Sequence, residues 1–219
     1  MSTCQFNDSN NNLHTFVHIP KTGGQSITNW LNKYTKIKRF GMHDTVDDVK
    51  KQTSNIGHSF AIVRNPYDRL VSVYLYQRDG ALRQINSLEE QLTQEGRRKE
   101  WIEKKAAVEI QSLKASEMGF KNFLKYMIKH DMHFGLASQV FYTKDVDTII
   151  KFENLNDDFE THIRPLFSKD YGYKLPHDNK SIKHNYKKFY DLETVNITLD
   201  LFIDDFKQFN YNTKLKTKY

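Results

Sequence analysis

His14-Thr15-Phe16-Val17-His18-Ile19-Pro20-Lys21-Thr22-Gly23-Gly24-Gln25-Ser26 is the stretch on which the fold turns. Residues 14–19 are rich in β-formers and stop hard at Pro20, the pattern of a short strand. Lys21 to Gly24 then read as a turn. From residue 25 to 34, Ile27, Trp30 and Leu31 recur at helical spacing. Strand, glycine-containing loop and helix therefore follow in direct succession. Backbone N–H groups at a helix N-terminus converge on one point, which suits a phosphate or a sulfate. The paired glycines let the backbone approach closely, Lys21 adds a full charge, and Thr22 and Ser26 add hydroxyl donors. An ordinary strand-to-helix turn is the plain alternative, and the coincidence of these residue types argues against it. A Walker A loop is excluded, because there the lysine follows the glycines and here it precedes them. No acidic strand end suited to magnesium stands out either.

Working downstream, residues 37–42 read as a second strand and His43 follows it. Asp44 or Thr45 can cap a helix running to about residue 52. Residues 59–63, Ser-Phe-Ala-Ile-Val, form the compact apolar run of a strand buried on both faces. Arg64 ends that strand, Asn65 can cap the next helix and Pro66 can open it, with the helix expected over residues 67–78. Arg64 and Ser72 are eight residues apart, so a guanidinium fork and a hydroxyl can jointly hold a phosphate monoester. The competing reading is a structural Arg64 paired with Asp68, with Ser72 merely tolerated. Arg69 reads as a structural or surface residue.

Residues 87–116 are highly charged and lack proline, which suggests solvated helices inserted between core elements. Further elements are a helix over 120–128, a strand over 147–152, a helix over 154–167 interrupted at Pro165, and a final helix over 191–209. Strands alternating with helices predict an α/β, single-domain, P-loop-like three-layer fold, its central parallel sheet flanked by helices. In such sheets ligands bind at the carboxyl ends of the strands. The domain is expected over residues 13–212, with a charged helical insertion at 80–117, a disordered lead at 1–12 and a basic tail at 213–219.

The 219 residues suit one domain with a real core. Hydrophobic residues at 38% and aromatic residues at 13% exclude a disordered chain. The net charge of +6 favours anionic ligands without choosing among them. Cys4 is the only cysteine, so no intrachain disulfide can form, which fits a reducing compartment. The polar, Asn-rich N-terminus lacks the features of a signal peptide, and no apolar run reaches the roughly 20 residues of a membrane span. A cytoplasmic location is the expectation.

A strand followed by P-K-T-G-G-x-S, and later a strand followed by R-N-P-x-D-R-x-x-S-x-Y, resembles the sulfotransferases that use 3′-phosphoadenosine 5′-phosphosulfate (PAPS). The similarity is closest to the carbohydrate branch, which includes uronyl 2-O-sulfotransferases and small bacterial relatives. It is strong over about residues 14–76 and returns diffusely in 137–211. The resemblance implies that Lys21, Thr22, Gly23, Gly24, Gln25 and Ser26 hold the 5′ side of PAPS, and that Arg64 and Ser72 hold the 3′-phosphate. It further suggests Asn179 and Ser181 as residues that close over the nucleotide, with Lys180 and His184 nearby. Relatives carry a His-x-Thr segment between the two motifs whose histidine is the base, which implies that role for His43. A side chain with an unperturbed pKa near 6.5 can take a proton at neutral pH. His18, His58, Glu153 and His133 are weaker candidates, His18 reading as a packed strand residue.

The implied reaction is in-line transfer of a sulfuryl group to a hydroxyl, with a carbohydrate as the acceptor class. His43 acts as base, Lys21 stabilises the leaving phosphate, 3′-phosphoadenosine 5′-phosphate (PAP) is released, and no metal is needed. The rival readings are an ATP-dependent P-loop-like phosphotransferase, a non-catalytic nucleotide-binding module, and a nucleic-acid binder suggested by charge alone. No aromatic and basic interleaving supports the last, and no nucleic-acid partner is expected.

Overall fold

The computed structural model describes residues 2–92, 117–130, 133–168, 175 and 185–215. Five strands form one sheet: β1 (Cys4–Asn7), β2 (Leu13–Val17), β3 (Ile37–Arg39), β4 (His58–Val63) and β5 (Thr148–Lys151), in the order β3-β1-β2-β4-β5. β2, β4 and β5 are parallel to one another, with Phe16 opposite Phe60 and Ile62 opposite Ile150. β1 runs antiparallel to both β2 and β3. The sheet is therefore mixed, with a parallel core, and β1 alone runs against the others.

β1 corrects the expectation of a disordered lead at residues 1–12. Cys4-Gln5-Phe6 lies between the exposed edges of β2 and β3, whose backbone groups need partners. Phe6 stacks on Phe167 and meets Phe60 edge-on, which anchors the strand in the core. Cys4 is wholly buried here, and burial pushes its thiol pKa up to about 12.

Alternation along the central strands fills both faces. Phe16, Phe60 and Ile62 point to one side, against Ile27, Trp30 and Leu31 of α1 (Gly24–Tyr34) and against Phe159 and Ile163. Val17, Ala61 and Val63 point to the other, where Val46, Tyr142 and Phe209 cover them. Trp30, 2% exposed, meets Phe159 and Phe167 edge-on. Truncating a buried tryptophan of this kind costs about 3–5 kcal/mol.

α2 (Val46–Lys50) starts at Thr45, which forms a reciprocal capping box with Asp48. α3 (Pro66–Leu92) starts as the sequence predicts, with Asn65 Oδ1 accepting from the Tyr67 amide at 3.0 Å. It extends well past residue 78, into the charged segment. α4 (Phe120–Lys129), α5 (His133–Leu136) and α6 (Gln139–Thr143) follow. The helix expected over 154–167 is broken into α7 (Leu155–Asp158), a π-turn (Phe159–Ile163) and a 3-10 turn (Arg164–Leu166) around Pro165, which has no amide to donate. α8 (Leu192–Gln208) is capped by Asp191 and kinks at Phe202. It packs with α3 and α4 in a second apolar cluster that includes Tyr67, Tyr74, Phe123 and Phe206.

Candidate active site

Because β2, β4 and β5 share one direction, the segments leaving them lie along the same edge of the sheet. Pro20 to Gly24 leaves β2, Arg64 leaves β4 and Phe152 leaves β5. Thr22 is fully buried and its hydroxyl donates to the Ile19 carbonyl at 3.0 Å, which closes the loop on itself. Its donor is thus committed within the loop, where the sequence suggested a ligand contact. Gly23 holds φ 86°, and a Cβ there would lie 2.8 Å from the Phe152 ring. Gly24 and Gln25 open α1, with Ser26 in its first turn. No side chain caps this end and no acidic residue stands in its first turn, so no carboxylate of the helix offsets the positive end of its dipole.

Lys21 and His43 both carry φ 65°, a conformation non-glycine residues hold at a cost of about 1–3 kcal/mol and keep only where surroundings over-determine it. The surroundings of Lys21 are identifiable. Its carbonyl accepts from Arg64 Nη1 at 3.1 Å, and its ammonium lies 3.9 Å from the Tyr76 ring centroid. Arg64 also donates from Nε to Asp68 at 2.9 Å and lies 4.2 Å over the Phe152 ring. The pairing of Arg64 with Asp68 is thus present, and with it a direct link between the two motifs. Phe152 packs between Gly23 and Arg64 and sets their spacing.

Asp68, Ser72 and Tyr76 follow at four-residue steps along α3, so they share one face. Asp68 holds Arg64 and Tyr76 carries Lys21, which sets the half-buried Ser72 between them. Tyr76 is 49% exposed and gives this face an open aromatic surface.

His43 lies half-buried beyond β3. Its Nδ1 is 2.9 Å from the His18 carbonyl oxygen. A carbonyl only accepts, so Nδ1 carries the proton and Nε2 is the ring's basic nitrogen. The His43 and His18 rings stack at 4.8 Å. Burial is the main cause lowering the pKa of His43, and Arg69 adds to it. Burial pushes His18 down to about 3, with His43 and Lys21 contributing. Both rings are neutral at neutral pH. His18 is 4% exposed, and a Cβ on Gly24 would lie 2.7 Å from its Nε2. The packed histidine of the sequence reading thus supports the start of α1 and the ring of His43 together.

His58 stands at the opposite edge of the sheet, at the amino end of β4, where it contacts Thr148. Glu153 is tied down by the Asn65 amide at 2.7 Å and the Tyr211 hydroxyl at 2.9 Å. Asn179 and Ser181, with Lys180 and His184, lie outside the described residues, and so does the side chain of His133.

Three further residues frame the site: Arg69, read from the sequence as structural or surface, is structural, and Gln139 and Asp205 carried no sequence signal. Arg69 is 1% exposed and donates to the carbonyls of Pro20 at 3.0 Å and Ala137 at 2.9 Å. Gln139 and Asp205 are both fully buried and join α6 to the backbone of Arg64. Each acts on main-chain atoms remote in sequence, which no local pattern records. A cavity of about 270 Å³ opens at the start of α3, lined among others by Asn65, Tyr67, Tyr186, Lys187, Asn212 and Lys214.

The ends of β2, β4 and β5, the start of α1, Lys21, Arg64 and a neutral His43 thus meet at one edge of an α/β domain. The family model for the sulfotransferase family matches residues 5–212, and the chain belongs to that family, whose activity is sulfuryl transfer. No curated protein and no solved structure matches the chain. Among the described residues, no helix is long and apolar enough to cross a membrane.

Proposed function

We propose that the chain transfers a sulfuryl group from PAPS to a hydroxyl, with a carbohydrate as the acceptor class. The observation that carries this reading is the link between Arg64 and the Lys21 carbonyl. It joins two cationic segments at one sheet edge, which suits a nucleotide with anionic groups at both its 5′ and 3′ positions. ATP concentrates its charge at the 5′ end alone. The Lys21 loop and the start of α1 take the 5′ side, and Arg64 and Ser72 take the 3′-phosphate. The net charge of +6 favours an acidic acceptor.

In this reaction His43 Nε2 takes the proton of the acceptor hydroxyl. The freed oxygen attacks sulfur as the bond from sulfur to the 5′-phosphate oxygen breaks in line. Negative charge grows on that leaving oxygen, where the Lys21 ammonium and the α1 dipole stabilise it. The proton ends on His43 and the electron pair on PAP. His18, kept neutral by burial, does not compete for the proton.

Transfer from sulfur-labelled PAPS to a panel of glycans tests this. Lys21→Ala and His43→Ala are expected to lower turnover by roughly a hundredfold each. Full turnover in both variants would contradict the assignment.

A further inference from the structure

Gln139 replaces a missing strand neighbour. β4 ends at Val63, and the main chain of Arg64 leaves the sheet ladder. There the Gln139 side-chain oxygen accepts from the Arg64 amide at 2.8 Å, and its Nε2 donates to the Arg64 carbonyl at 2.8 Å. The same Nε2 donates to Asp205 at 3.1 Å. The orientation of the amide is fixed, because a flip would set its oxygen against two acceptors and its NH2 group against a donor. Asp205 is fixed in turn by the amides of Gln139 at 3.0 Å and Val140 at 3.1 Å and by the Ser138 hydroxyl. The Gln139 and Asp205 side chains are both fully buried, so neither has a solvent partner to fall back on.

We infer that Gln139, held by Asp205, is a positioning residue for Arg64 and thereby sets the preference for a nucleotide bearing a 3′-phosphate. The inference rests on the 3′-phosphate role of Arg64 proposed above. The backbone of Arg64 is gripped on both its polar groups, and its guanidinium is gripped by Asp68, the Phe152 ring and the Lys21 carbonyl. With the main chain released, the fork shifts against its three side-chain partners, and a bidentate contact tolerates little displacement. The 5′ side depends on the Lys21 ammonium and α1, to which Gln139 makes no hydrogen bond. A shifted Arg64 reaches that loop through its one bond to the Lys21 carbonyl, so the loss there is the smaller one. A purely structural Gln139 would weaken binding of all nucleotides alike. A positioning Gln139 acts on the 3′ end far more than on the 5′ end.

The test compares the dissociation constants of PAP and AMP, which differ by the 3′-phosphate alone, by titration calorimetry on the full chain. Gln139→Leu removes both bonds to Arg64. Gln139→Asn keeps the polar groups and shortens their reach, and serves if the leucine variant does not fold. In either variant PAP affinity is expected to fall by roughly tenfold or more and AMP affinity to change by about twofold at most, so the preference collapses. A variant that keeps the wild-type ratio, whether both affinities hold or both fall together, overturns the inference alone. A wild type without preference for PAP over AMP overturns the role of Arg64 and this inference with it.

Discussion

Arg64 donates from Nη1 to the main-chain oxygen of Lys21, 3.1 Å away and 43 residues earlier in the chain. The bond gives the two motifs one geometry, since the residue that leaves β4 holds the backbone of the loop that leaves β2. Phe152, from the end of β5, packs against both. Three parallel strands thus each send one residue to the same point, and the strained φ of Lys21 is held by what surrounds it.

Gly24→Ala tests how tightly that point is packed. A Cβ at Gly24 would lie 2.2 Å from His18 Cδ2 and 3.1 Å from Phe16 Cζ. The His18 ring would have to move, and it is stacked on His43. Chemical denaturation is expected to show a loss of about 1–3 kcal/mol, as for other overpacked sites. Activity should fall further than stability explains. An alanine variant as stable as the wild type would mean that the ring has room to turn.

Arg69→Met tests the strut beneath the loop. The buried guanidinium donates to Pro20 and Ala137, and Asp205 supplies the opposing charge. Removing it leaves two carbonyls short of a donor and Asp205 without its counter-ion. A loss of about 3–5 kcal/mol is expected in urea denaturation. A change within about 0.5 kcal/mol, as at a surface site, would contradict this role.

The two histidines predict the pH behaviour. His43 must be neutral to accept a proton, and burial lowers its pKa from 6.5. The acid limb of kcat/KM therefore lies below pH 6.5, with a plateau through neutrality. For stability the sign follows from His18. Its folded pKa, about 3, lies below its unfolded value, so the unfolded chain binds the proton first as pH falls. Its contribution is complete above about pH 6.5 and is lost as pH falls toward 3. His18→Leu should flatten the decline of the urea midpoint between about pH 6.5 and 4 relative to wild type. An unchanged slope would show that other groups carry it.

Much of this was legible because the chemistry is local. Residues 14–26 contain strand, loop and helix start in one run, and Asn65-Pro66 and Thr45 announce their helices. The continuous apolar run Phe60-Ala61-Ile62-Val63 marks β4 as an interior strand buried on both faces, and it lies between β2 and β5. β1 was not legible, because Cys4-Gln5-Phe6 is too short among asparagines to signal a strand and forms one only where two edges await a partner. Gln139, and the partners of the structural Arg69, were not legible for a different reason. Their partners are main-chain atoms about 50 to 75 residues away, brought near by the sheet topology. Glu153 looked available as a base and is occupied by the Asn65 amide and the Tyr211 hydroxyl. His58 was separable from His43 only once β4 showed which end of the strand it occupies.

The most direct test of the central claim is a thermal-shift titration with PAP against AMP and ATP–magnesium. A ligand that binds only the folded chain adds roughly 2.7 kcal/mol at a hundred times its dissociation constant, which is readily seen as a rise in Tm. The account predicts stabilisation by PAP well beyond that by AMP or ATP–magnesium at equal concentration. No shift with PAP, or a larger one with ATP–magnesium, would contradict it.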